Sequence, residues 1–178
     1  MTLMTAIYPG SFDPVTNGHV NIVLRSAAIF SRVIIAVLDN PHKKPLFSAS
    51  ERICLLQEVF AKENKIPQAC EIEIEAFSGL LVDYAAKKGI RTIIRGVRSS
   101  EDLAKELPYA SWNRQLACGS VETIYLPADQ SLAFISSSIV KEVAMHIYQG
   151  TQGDNKLAQM VPPVVCAALR GKYKKNSI

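Results

Sequence analysis

The sequence predicts one α/β domain spanning residues 1–178: a single-domain, doubly wound, Rossmann-like sheet of five parallel strands with helices on both faces. Short apolar, β-branched runs alternate along the chain with segments whose apolar residues recur at helical spacing. Strand, helix and strand in succession form a right-handed unit that makes the strands parallel. The length of 178 residues, 48% of them apolar, suits one such domain and is too short for two.

The first half of the chain alternates strand, helix, strand and helix. TAIYPG at 5–10 is typical of a short strand, and the apolar residues of 20–30 recur at helical spacing. RVIIAVL at 32–38 is continuously apolar, as in a parallel strand buried on both faces. Ser48 and Glu51 have the spacing of a capping box and predict the start of the second helix.

The second half continues this alternation. CEIEIEAF at 70–77 has the period of a strand, and LLVDYAAKKG at 80–89 is a short helix that ends at its glycine. The other predicted elements are a strand at 92–96, a helix at 100–116 despite Pro108, a strand at 121–127, a helix at 136–148 and a final helix at 163–169. A polar loop is predicted at 149–156, and the C-terminal helix and basic tail begin at about 157.

The net charge of +4 does not indicate a nucleic-acid partner. Residues after Asp154 carry five lysines and arginines and no acid, so the rest of the chain is close to neutral. We interpret the basic tail RGKYKKNSI at 170–178 as a solubilising or frayed terminus. No apolar run approaches the roughly 20 residues that cross a bilayer, and the start of the chain lacks the pattern of a signal peptide. We therefore expect a soluble protein that is not exported and does not bind membranes.

The four cysteines predict a reducing compartment. They are widely spaced, form no C-x-x-C pair and mostly lie in apolar segments, which suits reduced, buried thiols. We therefore expect a cytoplasmic location. Trp112 and a cluster of Leu80, Leu81 and Tyr84 are likewise predicted to lie in the core.

Three segments with polar residues stand where predicted strands end. They are YPGSFDPVTNGH at 8–19, RGVR at 95–98 and FISSS at 134–138. The carboxyl ends of parallel strands meet at one edge of the sheet, and ligands bind there near the switch point. We therefore expect these segments to meet.

His19 directly follows a glycine at the predicted start of the first helix. The open amides of a helix N-terminus bind anions, and a histidine in the first turn can donate a hydrogen bond to the same anion. An isolated Gly-His pair would ordinarily be a surface turn. The usual phosphate-binding patterns, G-x-x-x-x-G-K-[ST] and G-x-G-x-x-G, are absent, and TNGH stands in their place.

These segments resemble a known family. GSFDPVTNGH resembles the signature of the nucleotidylyltransferase superfamily, which has an (H/T)-x-G-H motif, and FISSS resembles its second motif. Within that superfamily, AIYPGSFDPVTNGH, KKPLFSASER, IIRGVR and FISSSIVKEVA resemble the phosphopantetheine adenylyltransferase family, in the expected order over most of the chain.

The resemblance implies a reaction and its requirements. The phosphate of 4'-phosphopantetheine attacks the α-phosphorus of ATP, with Mg²⁺ assisting, and gives dephospho-coenzyme A and pyrophosphate. Such a transfer needs positioning and charge neutralisation and no protein nucleophile. The resemblance also implies a homohexamer.

The resemblance assigns residues to the two substrates. The implied catalytic residues are His19, Lys43, Arg95 and Arg98. Positions that match the ATP site are Ser11, Phe12, His19, Gly96, Val97, Arg98, Glu106, Leu132, Phe134, Ile135, Ser136, Ser137 and Ser138. Positions that match the phosphopantetheine site are Ser11, Lys43, Leu81 and Arg95.

Several alternatives remain open from the residues alone. Lys43 and Lys44 could form a solvated turn, and the serine run could be a helix cap as well as a phosphate site. A nucleotidylyltransferase for another acceptor, such as nicotinate mononucleotide or glycerol phosphate, would share TNGH. A non-catalytic nucleotide sensor, or a nucleic-acid-binding domain that uses the basic tail, belongs to a different class of function.

Overall fold

The structure, a computed structural model, describes residues 4–39, 44–149 and 154–175. Its five strands are β1 (Thr5–Gly10), β2 (Arg32–Leu38), β3 (Glu71–Phe77), β4 (Thr92–Val97) and β5 (Glu122–Pro127). They form one parallel sheet in the order β3-β2-β1-β4-β5. The predicted fold class and all five predicted strands are confirmed.

The helices occupy the predicted positions with one addition. They are α1 (Asn17–Ala27), α2 (Ala49–Ala61), α3 (Leu81–Lys88), α4 (Ser100–Leu116), α5 (Ser137–Gln149), α6 (Asp154–Ala158) and α7 (Pro163–Lys175). The predicted capping box of α2 is present, since the side chains and amides of Ser48 and Glu51 bond reciprocally. Gly89 ends α3 with φ of 68°, a left-handed conformation that glycine adopts without strain.

The sheet separates two apolar clusters because side chains alternate along each strand. One face carries Ala6 and Tyr8 of β1 and packs against buried residues of α1, α2, α5 and α7. The other face carries Ile7 of β1 and packs against α3. The continuously apolar β2 serves both clusters, as its sequence predicts.

The switch point lies between β1 and β4. The chain passes from β1 to β2 and β3 on one side of β1, and then returns to place β4 and β5 on the other side. This leaves a crevice beyond the carboxyl ends of β1 and β4, where doubly wound folds bind ligands. Among the helices of the described ranges, none is long and apolar enough to cross a membrane.

The prediction that Trp112 lies in the core is wrong. Its side chain is 68% exposed, because α4 has no buried residue and presents its apolar side chains to solvent. Leu80 is also exposed, whereas Leu81 and Tyr84 pack against the cluster beneath α3. Burial was expected from residue type, but the less exposed residues of α4 include the polar Asp102 and Glu106, while Trp112 lies on the outer side.

The prediction that the cysteines mostly lie in apolar surroundings that suit buried thiols holds only in part. Cys70 is buried, but Cys54 lies on the outer side of α2 and Cys118 in the turn after α4, and both are exposed. An apolar neighbourhood in sequence does not place a helical residue on the buried face, because that face is decided by the helical period.

The C-terminal prediction is also corrected. Helix α6 begins at Asp154, inside the predicted loop, and α7 continues to Lys175 instead of ending at Leu169. The basic residues of 170–175 are therefore helical and do not form a frayed tail.

A contact with α2 explains this longer helix. The Nζ atom of Lys172 lies 2.7 Å from Oε1 of Glu51 and 5.3 Å from the centre of the Phe47 ring. The same carboxylate caps α2, so α7 is attached to the start of that helix.

Candidate active site

A cavity of about 270 Å³ opens at the switch point, beyond the carboxyl ends of β1 and β4. The start of α1, the first turns of α4 and the start of α5 close its sides. The cavity is lined by residues of all three segments that the sequence predicts to meet, including Ser11, His19, Arg95, Arg98 and Ser136. The predicted meeting of these segments is therefore confirmed.

The turn after β1 is tightly built around Phe12. Its backbone is left-handed, with φ of 48°, and its ring is buried. The ring makes edge contacts with Tyr8 at 5.5 Å and with the His19 ring at 5.1 Å between centroids. A Cβ on Gly10 would lie 2.9 Å from the Phe12 ring, so only glycine fits at that position. The turn thus sets the position of the His19 ring.

Asp13 connects this turn to two other parts of the fold. Its buried carboxylate accepts hydrogen bonds from the amides of Leu46 at 3.0 Å and Phe47 at 2.9 Å. It also accepts a hydrogen bond from Nζ of Lys141 on α5 at 2.9 Å. A buried carboxylate requires such donors, so one side chain connects the turn, the start of α2 and α5.

His19 takes part in an unusual capping box. The side chain of Thr16 accepts from the amide of His19 at 3.3 Å, and Nδ1 of His19 accepts from the amide of Thr16 at 3.0 Å. A histidine here does what glutamate or glutamine does in the common form. Because Nδ1 is an acceptor, the neutral ring carries its proton on Nε2 and can donate there to an anion.

The surroundings of His19 favour the neutral ring. Burial, together with the nearby charges of Arg98 and Arg95, lowers the pKa of His19 from 6.5 to about 4. A neutral Nε2–H group is a hydrogen-bond donor and not a proton source. The site therefore provides His19 as a donor to a charged oxygen across the neutral pH range.

This state of His19 predicts a pH dependence. Between pH of about 4 and 6.5 the unfolded chain binds more protons than the folded chain, so the free energy of unfolding rises with pH across this window. We expect ¹⁵N NMR of the ligand-free protein to show the neutral Nε2–H tautomer of His19 at pH 6. A His19 ring that titrates near 6.5 would contradict this prediction.

Arg95, at the end of β4, is paired with Glu106 of α4. Its Nε and Nη2 donate to Oε2 and Oε1 of Glu106 at 2.7 and 2.6 Å, and its Nη1 donates to the carbonyl of Pro9 at 3.0 Å. Burial alone would lower the pKa of Arg95, but the hydrogen bond and charge of Glu106 raise it above its ordinary value. The cation is therefore fixed in place beside the turn that follows β1.

Arg98 is paired in the same way with Asp102, one helical turn further along. Its Nε donates to Oδ2 at 2.7 Å and its Nη2 to Oδ1 at 3.2 Å, while its Nη1 reaches the carbonyl of Ile135 at 3.3 Å. The hydrogen bond from Arg98 lowers the pKa of Asp102. Two carboxylates of α4 thus hold the two arginines of the cavity in the absence of an anion.

The serine run combines capping with an open edge of the cavity. The side chain of Ser136 accepts from the amide of Ile139 at 3.2 Å, and Ser137 donates to the carbonyl of Pro14 at 2.9 Å. The start of α5 therefore faces the cavity beside the turn that follows β1. The open amides of this helix N-terminus and the hydroxyl hydrogen of Ser136 suit an anion.

The implied site residues are distributed as follows. Those that line the cavity are Ser11, Phe12, His19, Arg95, Gly96, Arg98, Glu106, Leu132, Ile135, Ser136 and Ser137. Ser138 instead lines a neighbouring cavity of about 210 Å³, which also contains Lys44 and Lys141. Val97 is buried and Phe134 is exposed. Leu81, the first residue of α3, packs against the apolar cluster between that helix and the sheet. Lys43 lies outside the described residues.

Several residues that line the cavity were not predicted as site residues, among them Tyr8, Thr16 and Asp102. The spacing of Thr16 and His19 is that of a capping box, and the spacing of Arg98 and Asp102 is that of an i,i+4 ion pair. Thr16 and Asp102 could therefore have been found from the sequence. No sequence pattern marks Tyr8 as a site residue, because a tyrosine in a buried strand is ordinarily a core residue.

Comparison with known proteins defines the class of this site. Residues 7–143 match the family of cytidylyltransferase-like proteins, so the chain is a nucleotidyltransferase. It is 44% identical over 174 residues to the phosphopantetheine adenylyltransferase of Caldanaerobacter subterraneus, a match that covers 98% of this chain and 100% of the relative. It is 42% identical over 170 residues to that of Alkaliphilus metalliredigens, covering 96% and 99%. The chain belongs to the phosphopantetheine adenylyltransferase family, which confirms the resemblance seen in the sequence.

A solved structure supports the fold. The chain is similar to a Plasmodium falciparum nicotinic acid mononucleotide adenylyltransferase complexed with NaAD, with a TM-score of 0.68 over 98% of this chain and 96% of that one. The sequences are only 12% identical, so this likeness concerns the fold alone.

Proposed function

We propose that the protein transfers the adenylyl group of ATP to 4'-phosphopantetheine, giving dephospho-coenzyme A and pyrophosphate. The observation that carries this proposal is the cavity itself, which gathers His19, Arg95, Arg98 and the start of α5 from segments far apart in sequence. The relatives that share nearly the whole chain are phosphopantetheine adenylyltransferases.

The proposed step is a direct in-line displacement. A phosphate oxygen of the acceptor forms a bond to the α-phosphorus as the bond from that phosphorus to the pyrophosphate oxygen breaks. No protein nucleophile takes part, so the residues contribute position and charge. His19 donates from Nε2 to a non-bridging oxygen of the α-phosphate, where negative charge must be stabilised in the transition state.

The cations of the site divide between the two substrates. Arg98 and the start of α5 hold the β- and γ-phosphates of ATP, while Arg95 and Lys43 hold the acceptor phosphate. Ser11 and Phe12 approach both through the turn that follows β1. Each arginine exchanges part of its carboxylate pairing for phosphate oxygens when the substrates bind.

We propose that Mg²⁺ enters as MgATP. Within the described ranges, no three His, Cys, Asp or Glu side chains are grouped as metal ligands, and the two carboxylates of the cavity are occupied by arginines. This suits Mg²⁺, which is commonly held by phosphate oxygens and water. When bound, the ion neutralises charge on the leaving pyrophosphate.

We also propose that the protein is a homo-oligomer, a hexamer as the resemblance implies. Helix α4 presents Tyr109, Trp112 and Leu116 at successive turns of one side, and all three are exposed in the single chain. A contiguous apolar stripe of this kind is typical of an interaction surface. A second copy of the chain is the occupant that this proposal names.

Replacing Trp112 by glutamate should dissociate the oligomer, because aromatic residues dominate the energetics of interfaces. The expected loss of association free energy is about 2 kcal/mol or more per interface. Sedimentation equilibrium would measure the mass. The matched control is Ile29→Glu, which changes an exposed apolar residue in the turn that follows α1. An unchanged mass in Trp112→Glu, or equal dissociation in both variants, would contradict the proposed surface.

A cytoplasmic location belongs to the same proposal. Cys54, Cys70 and Cys118 are free thiols, and exposed free thiols such as Cys54 and Cys118 persist in reducing compartments. We propose no nucleic-acid partner, since the basic residues of α7 include Lys172, whose charge is paired with Glu51.

The reaction is tested by pyrophosphate release from ATP and Mg²⁺, with and without 4'-phosphopantetheine, and with nicotinate mononucleotide as the control acceptor. We expect release only with 4'-phosphopantetheine, with dephospho-coenzyme A formed in equal amount. Release only with nicotinate mononucleotide would keep the mechanism and change the acceptor. A folded protein that binds ATP and releases nothing would be a nucleotide-binding protein without transferase activity.

A further inference from the structure

Arg52 is a buried arginine of α2, only 2% exposed, that lies behind the cavity wall. Its Nη1 donates to the carbonyl of Ser11 at 2.8 Å and to the carbonyl of Leu38 at 2.9 Å. Its Nε donates to the carbonyl of Phe47 at 3.0 Å. One guanidinium group therefore joins the turn after β1, the end of β2 and the start of α2.

The pattern of partners is unusual for a stabilising ion pair. The carboxylate nearest to Arg52 belongs to Asp39, which is more than half exposed and lies 3.5 Å from Nη2, at the limit of a hydrogen bond. The other partners are backbone carbonyls, which orient a backbone but do not neutralise the charge. A buried charge is costly, and apolar residues commonly stabilise a core as well, so stability alone does not account for an arginine here.

The bond to Ser11 acts on the most constrained part of the site. Ser11 precedes Phe12, whose left-handed backbone is strained in a residue with a side chain. Such conformations persist where the surroundings fix them, and they concentrate at functional sites. The guanidinium group fixes the peptide that precedes Phe12, and the contact between the rings of Phe12 and His19 fixes its side chain.

We propose that Arg52 is a positioning residue for adenylyl transfer: through the carbonyl of Ser11 it fixes the turn that holds Phe12 and, through Phe12, the ring of His19. Arg52 does not line the cavity that contains His19, and it touches neither substrate in the proposed arrangement. This role rests on the proposed function for its effect on catalysis, but the positioning itself is a property of the ligand-free protein.

The test compares Arg52→Lys and Arg52→Ala with Arg32→Ala as the matched control. Arg32 is a partly buried arginine at the opposite end of β2, paired with Glu73 away from the cavity. We expect kcat to fall by about 10²-fold in both Arg52 variants, because misplacing a positioned group by an ångström has an effect of this size. Arg32→Ala should lower Tm and leave kcat unchanged.

Chemical rescue separates positioning from loss of structure. The second cavity is lined by Arg52 and open to solvent, so guanidinium ion at low millimolar concentration can enter the space left in Arg52→Ala. We expect it to restore part of kcat in Arg52→Ala and none in His19→Ala. Lysine has a single nitrogen and cannot reach Ser11, Leu38 and Phe47 together, so Arg52→Lys should not recover the activity.

A second readout does not depend on activity. The ¹⁵N resonances of the His19 ring should shift in Arg52→Lys and stay unchanged in Arg32→Ala. Unchanged His19 resonances together with wild-type kcat and KM would overturn the proposal. A fall in kcat that matches the fraction of unfolded protein at the assay temperature would also overturn it, because unfolding alone would then explain the lost activity. If the wild-type protein transfers nothing, the proposed reaction fails, and the NMR comparison still decides whether Arg52 positions His19.

Discussion

Replacing His19 by alanine should lower turnover by about two to three orders of magnitude and leave the fold intact, the scale expected for losing one transition-state donor. The ring is kept neutral by burial and by two nearby arginines, and its Nδ1 is held by Thr16, so Nε2–H is available as a preorganised donor. Single-turnover measurement of adenylyl transfer would report the chemical step directly. ATP binding should change much less, because the donor acts mainly on charge that develops during transfer.

The matched control for this prediction is His146→Ala, which removes an exposed histidine from α5 far along the helix from the site. It should retain full turnover. His19→Gln tests the two hydrogen bonds separately from the ring, since its Oε1 can accept from the amide of Thr16 as in the common capping box and its Nε2 can donate. Turnover close to that of the wild type in His19→Ala would remove His19 from the mechanism.

Replacing Arg95 by alanine should reduce kcat/KM for 4'-phosphopantetheine by about two orders of magnitude and affect ATP binding much less. Arg95 carries the cation proposed for the acceptor phosphate, and truncating one partner of a desolvated, hydrogen-bonded charge pair commonly costs more than 2 kcal/mol. Titration calorimetry with each substrate would separate the two affinities. Arg98→Ala provides the comparison, because it should weaken ATP binding more than use of the acceptor.

The pair that Arg95 forms with Glu106 complicates a single substitution. In Arg95→Ala the partly buried Glu106 loses both of its guanidinium hydrogen bonds, and this alone lowers stability. The double variant Arg95→Ala/Glu106→Gln removes the unpaired charge. We expect it to recover Tm and not the use of 4'-phosphopantetheine. Equal losses for both substrates in Arg95→Ala would mean that the division of the site is wrong.

The paired arginines also show how the cavity is prepared for anions. Arg95 and Arg98 are held by two carboxylates of one helix, so their guanidinium groups are oriented by the protein itself. Substrate phosphates must exchange with Glu106 and Asp102 for some of these hydrogen bonds. Losing these hydrogen bonds reduces the affinity that the phosphates gain from the arginines. Binding still costs less conformational entropy than it would with mobile arginines, because the side chains are already fixed.

Much of the fold was predictable because its strands and helices are locally consistent. The unbroken apolar run of β2, the capping box of α2 and the glycine that ends α3 each specify local structure through neighbouring residues. The exposure of Trp112 was not predictable, because it depends on which side of α4 meets the sheet. The extension of α7 was not predictable either, because it rests on a contact between Lys172 and Glu51 that are distant in the chain.

The candidate site shows the same division. His19, the two arginines and the serine run could be identified from sequence, because their motifs lie at the ends of predicted strands, which meet at one edge of a parallel sheet. The partners of the arginines could not. The spacing of Arg95 in β4 and Glu106 in α4 does not show that the two side chains meet.

Fold class, element order and family could be predicted from the sequence, because these depend on periodicity and on motifs along the chain. Three further features depend on the folded structure: the neutral state of His19, the pairing of Arg95 and Arg98 with carboxylates of α4, and the place of Arg52 behind the turn that holds Phe12. Burial, charge pairing and hydrogen bonding to carbonyls are set by distances between atoms, and folding brings together residues that are far apart in the chain.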